Sequence, residues 1–311
     1  MKFDNADWYY YRIYGLSIRS HVRLSQLSAV EPVKHDLTIC YGQDGLRPIG
    51  AMSGAVSGER VTVRTSPTEI VVFHAEVGEF HIKGDHVICF PHPKVQLEVI
   101  ENFLLGPILS LVLQRQSLLV LHGSAVLKGR RVAGFVGMSG EGKSTLAAAL
   151  VTRGYTLVSD DLLVVEQDAG GRHTIRAGPG YVRLYPGWVQ TLTAKHCLQV
   201  PAGSVRPPAS TKAAYPCASD TSHEDRPLTS IFVLATGHSM RLTTLSTAAA
   251  VVELVRYTYY ARILRSLDFR QHFSQCANIA RCSKVVRLER PRDVAAVPAM
   301  LDSIESHFAS A

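Results

Sequence analysis

Hydrophobic and polar positions follow different patterns before and after about residue 92. In the first part, short apolar runs rich in Val, Ile, Phe and Tyr are separated by Gly or Pro turns, which is typical of strands. The predicted strands cover residues 8–14, 36–41, 61–64, 69–74, 79–82 and 86–90. We therefore expect a smaller β-rich N-terminal module over residues 1–92, ending at Pro91-His92-Pro93.

From residue 93 to residue 311, runs with helical spacing alternate with runs typical of strands, as in an α/β domain. A helix is predicted over residues 95–115, with a kink at Gly106-Pro107 because proline interrupts helical hydrogen bonding. Residues 181–188 predict a short helix or turn, and residues 200–222, rich in Pro and Gly, predict a loop. Further predicted helices cover 144–153, 248–264, 269–281 and 292–308, and predicted strands cover 118–121, 131–136, 155–159, 162–166, 173–177, 228–234, 241–245 and 285–288. Strands 228–234 and 241–245 are expected to pair with each other.

A glycine-rich stretch from Gly137 to Ser144 reads Gly-Met-Ser-Gly-Glu-Gly-Lys-Ser and fits the pattern G-x-x-x-x-G-K-[ST]. In this pattern, backbone N–H groups surround phosphate oxygens, the lysine reaches the outer phosphates and the hydroxyl holds Mg²⁺. A predicted strand precedes the stretch and a predicted helix follows it, which directs the positive end of the helix dipole at the anion. The residues predicted to contact a nucleotide are Ser139, Gly140, Glu141, Gly142, Lys143, Ser144 and Thr145.

Two aspartates, Asp160 and Asp161, follow the next predicted strand. Because the carboxyl ends of parallel strands meet at one edge of a sheet, we expect both near the glycine-rich stretch. One carboxylate is expected to hold Mg²⁺ together with Ser144, and the other to orient or deprotonate an incoming hydroxyl. The sequence leaves open which aspartate has which role. His122, at the end of the strand 118–121, is a further candidate, although a lone histidine is more often structural.

The composition, with 46% hydrophobic and 19% charged residues and a net charge of +7, is that of an ordinary globular protein. Lys and Arg are scattered, without a basic run interleaved with aromatic residues, so we expect no nucleic-acid partner. The six cysteines lack C-x-x-C spacing, which indicates reduced thiols in a cytoplasmic protein. The first residues are too acidic and polar for a signal peptide, and the longest apolar run, 103–113, is too short to cross a bilayer. No membrane association is therefore expected.

The residues around the glycine-rich stretch resemble the catalytic domain of HPr serine kinases, whose fold is shared with phosphoenolpyruvate carboxykinases. The resemblance rests on His122-Gly123, on the stretch from Gly137 to Ser144, on Arg153-Gly154-Tyr155 and on Ser159-Asp160-Asp161. It implies a P-loop kinase domain of the HPr kinase C-terminal type, ATP and Mg²⁺ as cofactors, and one aspartate acting as base toward a protein serine. His122 matches the family's histidine, which implies that it contacts phosphate or positions the acceptor.

A finer resemblance connects residues 11–16, 180–186 and 285–293 with HPr-kinase-related proteins of ribosomal peptide biosynthesis, among them the lasso-peptide kinases. It implies transfer of the γ-phosphoryl group of ATP to a serine hydroxyl at the C-terminal end of a lasso-peptide precursor. The chain departs from HPr kinase/phosphorylases at residues 178–186, which read GPGYVRLYP where that family has a glycine-rich E-x-R-G-x-G-x-x-N signature associated with phosphorolysis. The N-terminal module has no match in that family either.

These patterns predict a kinase whose catalytic residues are Asp160, Asp161, His122 and Lys143, with a peptide or small protein as acceptor. Three alternatives stay open: a serine kinase acting on HPr or another folded protein, an ATP-binding regulatory module without transfer activity, and, with less support, a carboxykinase-like reaction on a small acid. The intact aspartate pair favours an enzyme, because a protein that only binds nucleotide has no need of a base. An oligomer is compatible with the sequence, which gives no indication of its size.

Overall fold

The computed structural model describes residues 8–42, 56–57, 61–168, 170–193, 212–219, 226–261, 269–293 and 296–309. The chain divides into two compact units. The first consists of Met1–Gln116 and Tyr260–Phe269, and the second of Ser117–Tyr259 and Arg270–Ala311. Residues 93–116 therefore belong to the first unit, although the sequence pattern placed them in the second domain.

The first unit contains a sheet of short strands. They are β1 (Tyr9–Ile13), β2 (Leu16–Ser20), β3 (Leu37–Tyr41), β4 (Val56–Ser57), β5 (Val61–Thr65), β6 (Glu69–His74), β7 (Gly78–Lys83) and β8 (His86–Pro91). Their order in the sheet is β1-β2-β3-β8-β7-β6-β5-β4. Strand β3 pairs in parallel with β2 and with β8, and the remaining pairs are antiparallel. The sheet buries Tyr11, Ile18 and Phe80 completely or nearly so.

A helical stretch follows the sheet and is interrupted at the predicted place. Helix α1 (Leu97–Phe103) and helix α2 (Leu109–Arg115) are separated by a π-helical turn over Leu104–Ile108, which contains Pro107. Proline has no N–H to donate, so a local change in hydrogen bonding is expected there. The stretch from Leu97 to Arg115 has 19 residues and a mean hydropathy of 1.5, enough to cross a membrane by length and composition. Of the residues in its most apolar window, 67% are buried within the fold.

Specific contacts attach this helical stretch to the first unit. The buried carboxylate of Glu101 accepts hydrogen bonds from Ser25 Oγ at 2.7 Å and from Gln26 N at 2.6 Å. The Phe103 ring lies 5.0 Å from the ring of Phe80. These interactions involve residues far apart in the chain, which explains why the sequence pattern alone predicted a boundary before the helix instead of after it.

The second unit has the mixed α/β composition that the sequence predicts. Its strands are β9 (Leu119–Lys128), β10 (Arg131–Val136), β11 (Thr156–Ser159), β12 (Leu162–Gln167), β13 (His173–Ile175), β14 (Tyr181–Leu184), β15 (Ala213–Pro216), β16 (Leu228–Thr236), β17 (Arg241–Thr244) and β18 (Lys284–Arg290). Its helices are α3 (Lys143–Val151), α4 (Pro186–Thr193), α5 (Thr247–Arg256), α6 (Phe269–Cys282) and α7 (Val297–Ala309). The main sheet has the order β13-β12-β9-β10-β16-β18-β17, β11 pairs with β9, and β14 pairs with β15.

The structure corrects several predictions about these elements. Strand β9 continues to Lys128 and includes His122, where the prediction ended it at residue 121. Residues 181–188 form a strand followed by the start of a helix. Of the predicted loop 200–222, residues 212–219 contain strand β15, and the other residues lie outside the described ranges.

The predicted pairing of strands 228–234 and 241–245 is wrong. Strand β18 lies between β16 and β17, pairing in parallel with the first and antiparallel with the second. The apolar residues Val285, Val286 and Leu288 of β18 are buried, and they are best accommodated at an interior position of the sheet. The short connection between β16 and β17 is typical of a hairpin, but it did not determine which strands pair.

Apolar side chains pack on both faces of the main sheet. One cluster includes residues of α3 and α7, and the other includes residues of α5 and α6. In the first cluster, the rings of Phe135 on β10 and Phe232 on β16 stack with centroids 5.5 Å apart. Both side chains are fully buried. This pair stabilises the two strands that lie next to the glycine-rich stretch.

We expect Phe232→Ala to lower the free energy of unfolding of the second unit by about 3–5 kcal/mol, because it leaves a cavity beside Phe135. The matched control is Val252→Ala on α5, where the side chain is 66% exposed, with an expected change below about 0.5 kcal/mol. The chain's tryptophans are Trp8 and Trp188. Denaturant unfolding followed by fluorescence in a Trp8→Phe background therefore reports the second unit alone. Equal effects of the two alanine variants would contradict the prediction.

Candidate nucleotide-binding and catalytic site

The glycine-rich stretch connects β10 to α3 in a conformation that depends on glycine. Gly140 has a φ of +85° and Gly142 a φ of +79°, in the left-handed region that other residues rarely adopt. A Cβ at Gly142 would also lie 3.1 Å from Nη2 of Arg290, whereas one at Gly140 would meet no described atom within 4 Å. The stretch thus joins a strand to a helix through a tight loop, which is the order of elements predicted from the motif. Binding of phosphate by its backbone N–H groups stays a prediction.

Lys143, the first residue of α3, is directed into this loop. Its Nζ donates hydrogen bonds to the carbonyl oxygens of Gly137 at 2.9 Å and Met138 at 3.0 Å. Burial lowers the pKa of Lys143 to about 8, and the charge of Lys212 lowers it further, while Asp161 and Asp160 act in the opposite direction. The nearby carboxylates therefore balance the positive charge of the ammonium group only in part, which favours binding of an anion.

Strand β9 brings the aspartates to the same edge of the sheet as the loop. On one side of β9, Val136 at the end of β10 pairs with Gly123, and on the other side Ser159 at the end of β11 pairs with Ala125. Both pairings are antiparallel, so β10 and β11 run in the same direction on either side of β9. The carboxyl ends of β10 and β11 therefore lie at one edge of the sheet, with β9 between the two strands.

Asp160 is enclosed by hydrogen-bond donors. It is 2% exposed, its Oδ1 accepts from Ser124 Oγ at 2.6 Å, and its Oδ2 accepts from Arg183 N at 2.8 Å. Ser124 lies on β9 and Arg183 on β14, so the carboxylate connects two strands that do not pair. Asp160 is thus placed to hold the local backbone and has less access to a ligand than its neighbour.

Asp161 is accessible and lies beside His122. The distance between Asp161 Oδ1 and His122 Nε2 is 3.4 Å, and the two side chains are 30% and 35% exposed. Burial raises the pKa of Asp161, but the hydrogen bond from His122 and the positive charges of His122, Arg183 and Lys212 outweigh it, so the pKa is lowered overall. The His122 ring also packs edge-on against Tyr259, with centroids 5.5 Å apart. An ionised carboxylate and an imidazole therefore lie together at the surface.

The remaining predicted loop residues differ in their surroundings. Ser139 is exposed, and Ser144 and Thr145 are half-buried in the loop and the first turn of α3. The Glu141 side chain contacts Arg292 and Thr236. In the described part of the chain, no group of three or more His, Cys, Asp or Glu side chains is arranged to hold a metal ion. Mg²⁺ bound with a nucleotide needs fewer protein ligands, and a hydroxyl such as that of Ser144 is a suitable one.

A cleft of about 240 Å³ opens beside the loop. Its lining combines cationic, aromatic and apolar side chains: Gly140, Gly142, Thr145, Leu146, Arg183, Leu184, Tyr185, Trp188, Lys212, Arg290, Arg292, Asp293, Val297 and Met300. Four cationic residues and one acid line the cleft, which suits a phosphorylated ligand with an apolar or aromatic part.

Sequence reasoning missed most of the residues that line this cleft. Trp188 and Lys212 come from two separate segments and Arg290 and Arg292 from a third, and none of the four lies in the glycine-rich stretch. The one available signal was the position of Arg290 and Arg292 at the end of the last predicted strand, since strand ends gather at one edge of an α/β sheet.

Comparison with known proteins gives limited information about this site. No protein-family model matches the chain, and no curated protein matches it. Among solved structures, the chain is similar to the Hpr(Ser) kinase/phosphatase from Coxiella burnetii, with 11% sequence identity and a TM-score of 0.33. The match covers 61% of this chain and 91% of that chain. At this identity and TM-score the likeness is weak.

Gly142→Ala is expected to reduce the affinity for nucleoside triphosphates by at least about tenfold, because the added Cβ strains a left-handed residue and meets Arg290. Gly129→Ala is the matched control. Gly129 has a φ of +61° in the turn between β9 and β10, and a Cβ there meets no described atom within 4 Å. Both variants share the backbone strain, and only the first alters the loop. Titration calorimetry measures the affinities, and a similar loss in both variants would contradict a specific role of Gly142.

The pKa of about 8 for Lys143 predicts a pH-dependent affinity. A bound triphosphate favours the charged amine and raises its pKa. Well below pH 8 the amine is protonated with and without ligand, so this group contributes no pH dependence. Above about pH 8 binding must take up a proton, and the affinity is expected to fall by up to about tenfold per pH unit.

Measuring nucleotide affinity between about pH 7.5 and 9.5 tests this expectation, because phosphate groups complete their ionisation near about pH 6. Lys143→Arg is the control, since a guanidinium group does not titrate in this range. Its affinity is expected to be weaker and independent of pH. A decrease with the same slope in Lys143→Arg would assign the pH dependence to another group.

Proposed function

We propose that this protein is an ATP-dependent kinase that transfers the γ-phosphoryl group to a serine hydroxyl of a peptide. One observation carries the proposal: strand β9 places the accessible His122–Asp161 pair and the end of β10, where the phosphate loop begins, at one edge of the sheet. Phosphoryl transfer requires a group that holds the phosphates and a group that orients or deprotonates the acceptor. The second unit contains candidates for both.

The loop and the neighbouring cleft support nucleotide binding. In this proposal, backbone N–H groups of the loop and the Lys143 ammonium group, which lies within the loop, would neutralise phosphate charge. Thr145 and Leu146 connect the loop to the cleft, where Tyr185 and Trp188 offer aromatic surface to a nucleobase. The same cleft supplies cationic side chains for the phosphates, which makes a nucleoside triphosphate the best-fitting ligand class.

The hydroxyl oxygen of Ser144 also suits Mg²⁺, an ion that prefers oxygen ligands and usually keeps several waters and substrate phosphates. Ser144 would hold the ion through its hydroxyl. When bound, Mg²⁺ supplies charge neutralisation on the transferring phosphoryl group. Asp160 was also predicted as a ligand. This stays a prediction, and the two donors on its carboxylate support a positioning role instead.

In the proposed step, the acceptor oxygen forms a bond to the γ-phosphorus while the bond from that phosphorus to the β,γ-bridging oxygen breaks. The products are a phosphoserine and ADP, and the serine proton passes to the Asp161 carboxylate. His122 lies 3.4 Å from this carboxylate and is placed to orient it and the incoming hydroxyl. Lys143 stabilises the negative charge on the phosphates.

The nature of the acceptor is proposed from the resemblance to the lasso-peptide kinases over residues 11–16, 180–186 and 285–293. We propose a precursor peptide that presents a serine at its C-terminal end, with HPr or another folded protein as the alternative acceptor. A cytoplasmic setting, where ATP is available, suits either acceptor. The accessibility of Asp161 favours an enzyme over a regulatory module that only binds ATP.

Incubation with γ-labelled ATP and Mg²⁺ separates these functions. The acceptors to compare are a lasso-precursor peptide ending in serine, the same peptide ending in alanine, and HPr. Label on the serine peptide alone supports the proposal, and label on HPr supports the alternative acceptor. Nucleotide binding without label on any acceptor, including the protein itself, would support the regulatory module.

Asp161→Asn is expected to lower the rate of transfer by about 10²-fold or more while ATP binding and folding are retained, because it removes the proton acceptor from an accessible position. Asp160→Asn is the comparison. It replaces a charged acceptor by a neutral amide, so that Ser124 must accept where it now donates or the N–H of Arg183 loses its acceptor, and we expect a loss of stability of about 1–3 kcal/mol. Single-turnover rates and thermal unfolding measure both effects. An Asp161→Asn variant with unchanged transfer would contradict the assignment of the base.

A further inference from the structure

The glycine-rich stretch from Gly137 to Ser144, which is proposed to bind phosphate, contains an acidic residue. Glu141 lies between the left-handed glycines, and its side chain is only 11% exposed. A carboxylate here would repel the phosphates and would also be costly to bury without a partner. The structure must therefore compensate its charge.

Two arginines provide this compensation. Arg292 Nη2 donates to Glu141 Oε1 at 2.9 Å, and Arg292 Nε donates to Thr236 Oγ1 at 3.0 Å. Thr236 Oγ1 in turn lies 3.2 Å from Glu141 Oε2. Arg290 Nη2 donates to the backbone carbonyl oxygen of Glu141. Both the side chain and the backbone of Glu141 are thus held by groups outside the loop.

The position of these groups follows from the sheet order. Strands β10, β16 and β18 are consecutive and parallel, so their carboxyl ends lie side by side. Thr236 ends β16, Arg290 ends β18, and Arg292 follows two residues later. The loop that leaves β10 therefore contacts the ends of the next two strands. Both arginines also line the cleft beside the loop.

We propose that Glu141, Arg290 and Arg292 form a brace in which Arg290 holds the backbone of the glycine-rich loop and Arg292 neutralises the Glu141 carboxylate, so that the carboxylate does not repel a bound phosphate. Arg292 is a positioning residue that acts on the ligand through Glu141, and Arg290 fixes the loop backbone. This inference rests on the proposed nucleotide binding. It assigns to Arg292 a function different from direct contact with phosphate.

The brace accounts for two features of the site. The Arg292 side chain is 64% exposed, yet two of its nitrogens are engaged by Thr236 and Glu141, which directs the guanidinium group at the loop. The Arg290 Nε is buried and has no hydrogen-bond partner among the described residues, a cost that its contact with the Glu141 backbone offsets. Removing Arg292 would leave the Glu141 charge uncompensated beside the phosphates.

A double-mutant cycle tests the inference. ADP and ATP affinities are measured by titration calorimetry for the unaltered chain, Arg292→Gln, Glu141→Gln and the double variant. Arg292→Gln is expected to weaken binding by about tenfold, because the unpaired carboxylate repels the ligand. The double variant is expected to return to within about threefold of the unaltered chain, since the carboxylate is also gone. Arg241→Gln, which changes an exposed arginine on β17 outside the cleft, is the matched control and should have no effect.

Each result decides between mechanisms. If Arg292→Gln lowers the nucleotide affinity and the added Glu141→Gln does not restore it, Arg292 contacts phosphate directly and the brace is overturned. Unchanged affinity in Arg292→Gln would also overturn it.

If Arg292→Gln does not fold, Glu141→Gln alone remains informative. It is expected to bind ATP about threefold more tightly at low salt, with a gain that decreases as ionic strength rises, and weaker binding would overturn the inference. If the unaltered chain binds no nucleotide, the proposed function fails as well, whereas failure of the cycle in a chain that binds ATP affects the brace alone.

Discussion

The close approach of β9 to β10 is the constraint on which the site depends. Gly123 on β9 pairs with Val136, and a Cβ at Gly123 would lie 2.6 Å from the carbonyl oxygen of Phe135. Only a residue without a side chain allows the strands to approach in this way. Because β9 also pairs with β11 on its other side, the glycine-rich stretch and the aspartates lie at the same edge of the sheet.

The charges at that edge are distributed unequally. The cations around the loop and the cleft are Lys143, Arg183, Lys212, Arg290 and Arg292, and the acids among them include Glu141, Asp161 and Asp293. Burial lowers the pKa of Lys143, and nearby positive charges lower the pKa of Asp161. A bound triphosphate would reduce the repulsion among these cations.

The two aspartates illustrate how identical side chains acquire different functions. Asp160 accepts hydrogen bonds from Ser124 and from the amide of Arg183, and it connects β9 to β14. Asp161, the next residue, has a φ of +71°, which turns its side chain toward His122 at an accessible position. The left-handed conformation therefore separates a structural carboxylate from one that is available for chemistry.

The sequence by itself determined the features that depend on neighbouring residues: the glycines that permit the left-handed loop, the strand before it, the helix after it and the aspartates that end a strand. Periodicity and motif spacing report such local preferences directly. Only the tertiary structure decided which aspartate is enclosed, since Ser124 lies 36 residues before Asp160. It also decided that Arg290 and Arg292 hold Glu141 from 149 and 151 residues away, and that β18 separates β16 from β17. These contacts arise from the order of strands in the sheet, which is set by packing across the whole unit and leaves no local signal in the chain.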